Sequence, residues 1–164
     1  TILIRYPEVL LTYAEAKIKA GEIDASVLEA INKVRQRPSV KMPPITTTDP
    51  NELFYAVARE RKYEFSGEGL RLFDIRRWKI AETVMNQPLL GRMKKSYPDK
   101  APRIDEWGTA FYEGIPIAES GESADFKMRV VDIRKFDKNR DYLWPIPYIE
   151  RQTNPNLTQN PNYE

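Results

Sequence analysis

The stretch YPEVLLTYAEAKIKAGEIDASVLEAINKVRQRP, Tyr6–Pro38, holds two runs of helical period with a glycine between them. Pro7 suits a first helical turn, where its missing N–H is not needed, and Glu8 favours the positive end of the helix dipole. Leu10, Ala14 and Ile18, joined by Leu11, form one apolar stripe, while Glu15, Lys17 and Lys19 fall largely outside it. Gly21 is the expected left-handed cap. Asp24 then caps a second helix that turns Val27, Leu28, Ile31 and Val34 inward, and Pro38 stops it. Helices joined by so short a turn lie antiparallel, and Ala14, Ala16, Ala20 and Ala30 permit close approach.

Outward from this hairpin, Pro43-Pro44 and Thr46–Thr48 read as a stiff loop. Asp49-Pro50-Asn51-Glu52 is a helix start, with a capping residue, proline at the first position and Glu three residues after the cap. Leu53, Phe54, Val57, Ala58, Arg61 and Phe65 share a face of that helix. Ser66-Gly67 and Gly69 interrupt, and Leu70 to about Asn86 reads as a fourth helix with Phe73, Trp78 and Val84 among its apolar positions. The spacing therefore predicts helices over 7–20, 25–37, 50–66 and 70–86, then loops and short strands over 87–164. The fold class is mainly α, with an irregular C-terminal half in one domain. A short β-hairpin is expected there, from a strand at Phe126–Ile133 paired with one at Tyr142–Ile146. The tail NPNLTQNPNYE has two Asn-Pro turns and little periodicity.

Composition narrows function by exclusion. The 164 residues contain no cysteine and no histidine, so disulfides, thiol nucleophiles, Ser-His-Asp triads and Cys/His metal sites are ruled out. A net charge of +2 is too weak a field to favour nucleic acid or a membrane surface. No apolar run is long enough to span a bilayer. Thirteen prolines fit a largely irregular second half. The start at Thr1 suggests a processed chain or an excised piece.

The run RERKYEFSGEGLRLFDIRRW, Arg59–Trp78, is dense in opposite charges three apart. Arg61/Glu64, Glu68/Arg71 and Arg71/Asp74 are expected as a structural ion-pair network across the glycine break. The competing reading makes Glu60, Glu64 and Asp74 a metal or acid/base cluster; a metal is not expected there, because di-iron bundles need histidine and calcium needs carboxylates and carbonyls on one short loop. The stretch Ile104–Phe126 has six acidic residues and no basic ones, after a basic stretch from Arg92 to Arg103. Trp107 and Tyr112 supply flat apolar rings and Asp105 and Glu113 supply acceptors, the two kinds of group that bind a sugar. The competing reading is an acidic surface loop pinned by its aromatics. Tyr97 beside Pro98 is a further candidate of the same kind.

Four blocks together resemble the SusD/RagB family of outer-membrane nutrient-binding lipoproteins. They are RYPEVLLTYAEA (Arg5–Ala16), AINKVRQR (Ala30–Arg37), ARERKYEFSGEGLRLFDIRRW (Ala58–Trp78) and YLWPIPYIERQTNPNLTQNPNY (Tyr142–Tyr163), in the family's order. Leu70 stands where the family usually has His, and Asn162 where it often has Gly; both departures bear on packing. The resemblance implies tetratricopeptide-like helical pairs and the C-terminal part of a longer protein. It also implies an outer-membrane, surface-exposed location, lipid-anchored through an anchor absent from this chain. The partners it implies are an oligosaccharide ligand and a SusC-like TonB-dependent outer-membrane transporter; the expected function is non-catalytic glycan binding and uptake, with no cofactor. The alternatives are a scaffold that contacts only the porin, or a peptide-binding member. No binding residue transfers by motif.

Overall fold

A computed structural model describes residues 4–163, so Thr1 lies outside the described residues. Residues up to Arg71, together with Arg103–Phe111, form one compact unit; Leu72–Pro102 and the chain from Tyr112 onward form a second.

The first unit is built on three helices, α1 (Tyr6–Ala20), α2 (Ala25–Arg35) and α3 (Pro50–Glu64). Ala14, Ile18, Val27, Ala30, Ile31, Leu53 and Val57 interlock as one apolar core, and Leu11, Val34 and Phe65 form a second cluster beside it. The stripe of α1 is centred one residue later than its leucines suggest: Leu11 is fully buried and Leu10 only partly. Glu15, expected outside the stripe, is consequently buried, since it stacks one turn after Leu11 and one before Ile18. Gly21 adopts φ 75°. The Gly21 and Glu22 N–H groups donate to the Ile18 and Lys17 carbonyls at 3.1 and 2.9 Å, the paired bonds of a Schellman ending. Asp49 accepts from the Asn51 and Glu52 N–H groups. Asn32 grips the irregular loop after α2, donating to the Ile45 carbonyl at 2.9 Å and accepting from the Ile45 N–H at 2.7 Å.

Asp24 caps α2 through the Ser26 N–H and also meets the Lys17 ammonium. The Lys17 contact, followed by that of Ser26, holds its carboxyl down at about 2 against an ordinary 3.8. Its stabilising effect is complete above pH 3.8 and is lost as pH falls through about 2. Asparagine caps as well as aspartate but does not titrate. Melting temperatures of Asp24→Asn and the parent should therefore differ most at neutral pH and converge on acidification; a gap independent of pH would remove the Lys17 contact from the account.

The fourth predicted helix is broken. α4 (Leu70–Arg77) ends and α5 (Ala81–Met85) starts separately. No glycine or proline marks the break. Lys79 takes φ 57°, and the Ile80 and Lys79 N–H groups donate to the Ile75 and Arg76 carbonyls at 3.0 and 3.2 Å. This is again a Schellman ending, with Ile75 and Ile80, both buried, as its apolar pair. Phe73, expected on the apolar face, is 63% exposed.

In the second unit β1 (Leu89–Gly91), β4 (Ile117–Ala118) and β5 (Met128–Asp132) form a sheet of order β1-β5-β4, antiparallel then parallel. The expected strand at 126–133 is therefore present as β5, but its partner is not the 142–146 segment. Pro145 and Pro147 lack N–H donors there. That segment is held instead by the tail: Gln159 donates to and accepts from the Ile146 backbone at 3.0 and 2.8 Å. Asn160 donates to the Trp144 carbonyl and Tyr163 to the Leu143 carbonyl. A short helix, α6 (Tyr148–Thr153), opens directly after Pro147 and was not foreshadowed by any periodicity. Asn162 sits at φ 64°, which explains the departure noted there: after glycine, asparagine tolerates this region best.

Asn86 repeats the amide grip, accepting from the Phe136 N–H at 2.7 Å and donating to the Phe136 carbonyl at 3.3 Å. Asn86→Ala strands both groups beside a buried ring, and should cost about 1–2 kcal/mol in urea denaturation. An unchanged midpoint would mean that water takes over both bonds.

Candidate functional site

The short β-hairpin of the structure lies at β2 (Arg103–Ile104) and β3 (Ala110–Phe111), paired antiparallel in the first unit. Its loop carries two of the four residues singled out for ligand contact. Asp105 Oδ1 accepts from the Trp107 and Thr109 N–H groups at 3.0 and 2.6 Å, so this carboxylate shapes the turn. The half-buried Trp107 ring stands perpendicular to Tyr55 and Phe54 of α3, with centroids 4.9 and 6.0 Å away. Three successive carbonyls of the loop are each met by a cation of the charged run. Arg59 donates to Glu106 O at 3.0 Å, Arg71 to Trp107 O at 3.2 Å, and Lys62 to Gly108 O. A fixed loop presenting a partly covered indole is what this arrangement builds.

Around the charged run the partners given by the structure reach further than helical spacing. Glu64 is joined to Arg5 at 2.8 Å and to Arg37 at 2.6 Å. Glu68 receives a bidentate approach from Arg5, at 2.6 and 3.1 Å. These two carboxylates, Glu68 foremost, raise the Arg5 guanidinium above its ordinary pKa. Arg61 donates to Thr12 Oγ1 at 3.2 Å, and Arg77 meets Asp74 through two nitrogens, at 2.8 and 3.0 Å. A further pair, Arg35 with Glu60 at 2.6 Å, ties α2 to α3. Arg5, Arg35 and Arg37 were not among the sequence candidates, and Glu60 entered only the metal or acid/base alternative; contacts up to 63 positions apart leave no local spacing signal. Among the described residues, no group of three or more acidic side chains is placed to hold a metal ion.

The other two candidates, Tyr112 and Glu113, belong to the second unit. Tyr112 is half-buried. Glu113 lines a cleft of about 320 Å3 whose other walls include Tyr97, Asp99, Lys100, Pro116 and Phe126. One side of this cleft is a turn in which Gly114 has φ 73° and the Ile115 N–H reaches back to the Tyr112 carbonyl at 3.4 Å. Tyr97, singled out for its ring, is here; Asp99, Lys100 and Phe126 were missed because nothing in their local pattern sets them apart from an ordinary loop.

Comparison with known proteins gives a consistent picture. The chain matches the SusD family over residues 1–163. It is 30% identical to the SusD-like protein P2 of Formosa agariphila, across 99% of this chain and 26% of that protein. Among solved structures it is similar to a SusD-like carbohydrate binding protein of Bacteroides fragilis, with 36% identity, a TM-score of 0.73, and coverage of 96% of this chain and 28% of the other. A second SusD-like protein of Bacteroides fragilis gives 30% identity and a TM-score of 0.70, over 99% of this chain and 26% of the other. The chain thus spans about a quarter of the length of these relatives.

Proposed function

Since this chain belongs to the SusD family, we propose that it is part of a non-catalytic glycan-binding protein. On this reading the longer protein is a lipid-anchored component of the outer-membrane surface. It takes up oligosaccharides together with a SusC-like TonB-dependent transporter. The observation that carries the reading is the match from residue 1 to 163, supported by a carbohydrate-binding structural relative at 36% identity. The site chemistry is compatible with it: rings for stacking and carboxylates as acceptors. Among the described residues no helix is long and apolar enough to cross a membrane, so on this reading membrane contact rests on the anchor and the transporter.

Within this chain we assign the ligand-facing roles to Trp107 and Tyr112 as stacking rings and to Asp105 and Glu113 as polar groups, Asp105 acting through the loop it shapes. The test is calorimetric titration of the full-length protein with oligosaccharides and with short peptides, alongside co-purification with the transporter. Glycan binding without turnover supports the reading; binding of peptides alone overturns it. A second reading, a scaffold that touches only the porin, is favoured by one feature. Tyr6, Val9 and Tyr13 leave an exposed apolar stripe along α1. It predicts transporter binding with no affinity for sugar.

A further inference from the structure

Two of the most exposed large apolar side chains of the second unit are Tyr97, at 72%, and Phe126, at 67%, and both line the same cleft. An aromatic ring left in water forgoes the stabilisation that burial gives it, so two of them at one concavity form a surface prepared for a ligand. The cleft's volume of about 320 Å3 falls at the lower end of small-ligand pockets. Its charged lining is mixed, with the Asp99 and Glu113 carboxylates and the Lys100 ammonium. Arg92 stands 6.0 Å from the centre of the Tyr97 ring, close enough to favour one face of it electrostatically and leave the other to a ligand. The walls are stiff: Pro98 and Pro116 fix φ on either side, and the Lys94 and Lys95 N–H groups are bonded to the Ala124 and Asp125 carbonyls, both at 2.9 Å. A preformed wall loses little entropy on binding.

We infer that this cleft is a saccharide subsite of the chain, and that its ligand is the end of a neutral oligosaccharide; the inference rests on the glycan-binding reading above and assigns its place and class. A pyranose offers a C–H-rich face to Tyr97 or Phe126 while its hydroxyls donate to Asp99 and accept from Lys100. A uronate or sulfate ester would instead bring its negative charge beside the Asp99 carboxylate. The small volume suits a chain end better than the middle of a polymer.

The test uses the full-length protein, titrated calorimetrically with neutral oligosaccharides (malto-, xylo-, laminari- and manno-series) and with uronate and sulfated ones. The Tyr97→Ala/Phe126→Ala double variant should bind the preferred neutral sugar at least about tenfold more weakly. Its thermal melt should match the parent's, since both rings are already in water. Asp99→Asn should weaken binding by a few-fold without altering the melt. If the parent binds a neutral sugar and the double variant binds it equally well, the cleft assignment falls while the glycan reading stands. If the parent binds only acidic glycans, the neutral class falls. A parent that binds no glycan overturns the proposed function, and this subsite with it.

Discussion

Glu64→Ala is expected to lower the free energy of unfolding by about 2–4 kcal/mol, while Glu68→Ala, four residues along the same charged run, should cost at most about 1 kcal/mol. The difference comes from burial and from the number of elements joined. The Glu64 side chain is only 6% exposed, against 41% for Glu68. One oxygen of Glu64 meets Arg5, immediately before α1, and the other meets Arg37, just beyond α2, while Glu64 itself ends α3. One carboxylate thus ties the ends of three helices. Removing it leaves two guanidiniums without their shared counter-ion. Because those arginines are 30% and 37% exposed they regain some water, which keeps the loss below that of a fully buried pair. Glu68 is paired with Arg5 and is well solvated. Urea denaturation of the two single variants measures the contrast, and a double-mutant cycle of Glu64→Ala with Arg37→Ala isolates the pair. Equal midpoints for parent and Glu64→Ala would show that the helices are held by apolar packing alone.

Local chemistry was legible in the sequence, and partners distant along the chain were not. Caps are local chemistry, so Gly21, Asp24 and Asp49-Pro50 placed three helix ends to within a residue or two. Apolar period placed the faces of α2 and α3, because Val27, Ile31, Leu53 and Val57 recur at helical spacing. The break at Lys79 was hidden because lysine carries no propensity signal for a left-handed cap; the apolar closure of Ile75 on Ile80 decides it. Partners of the charged run could be read only three or four residues away, so Arg5 and Arg37 stayed invisible. In the proline-rich second half, backbone groups that would ordinarily pair in a ladder are met by side-chain amides. Asn86 and Gln159 imitate a neighbouring strand, and no hydrophobic alternation announces them. For the residues proposed to face a ligand, chemistry chose the side-chain types, and the fold puts Trp107 and Asp105 in one unit and Tyr112 and Glu113 in the other.

Trp107→Ala should destabilise the first unit by about 2–4 kcal/mol, below the full cost of truncating a completely buried tryptophan because the residue is not fully buried. The ring stands perpendicular to both Tyr55 and Phe54, an arrangement that adds roughly 0.5–1.5 kcal/mol beyond the area buried. Its removal also loosens the loop whose carbonyls Arg59, Lys62 and Arg71 receive, so three cations lose their fixed acceptors together. Packing and ligand stacking can be separated with Trp107→Phe. Phenylalanine keeps an edge-to-face partner for Tyr55 and should restore most of the stability. It presents a smaller face to a sugar, and glycan affinity of the full-length protein should stay several-fold below the parent's. Recovery of both properties by phenylalanine would confine Trp107 to anchoring the loop. Loss of affinity with an unchanged melt in Trp107→Ala would show that the ring serves the ligand alone and that the cation–carbonyl bonds suffice to hold the hairpin.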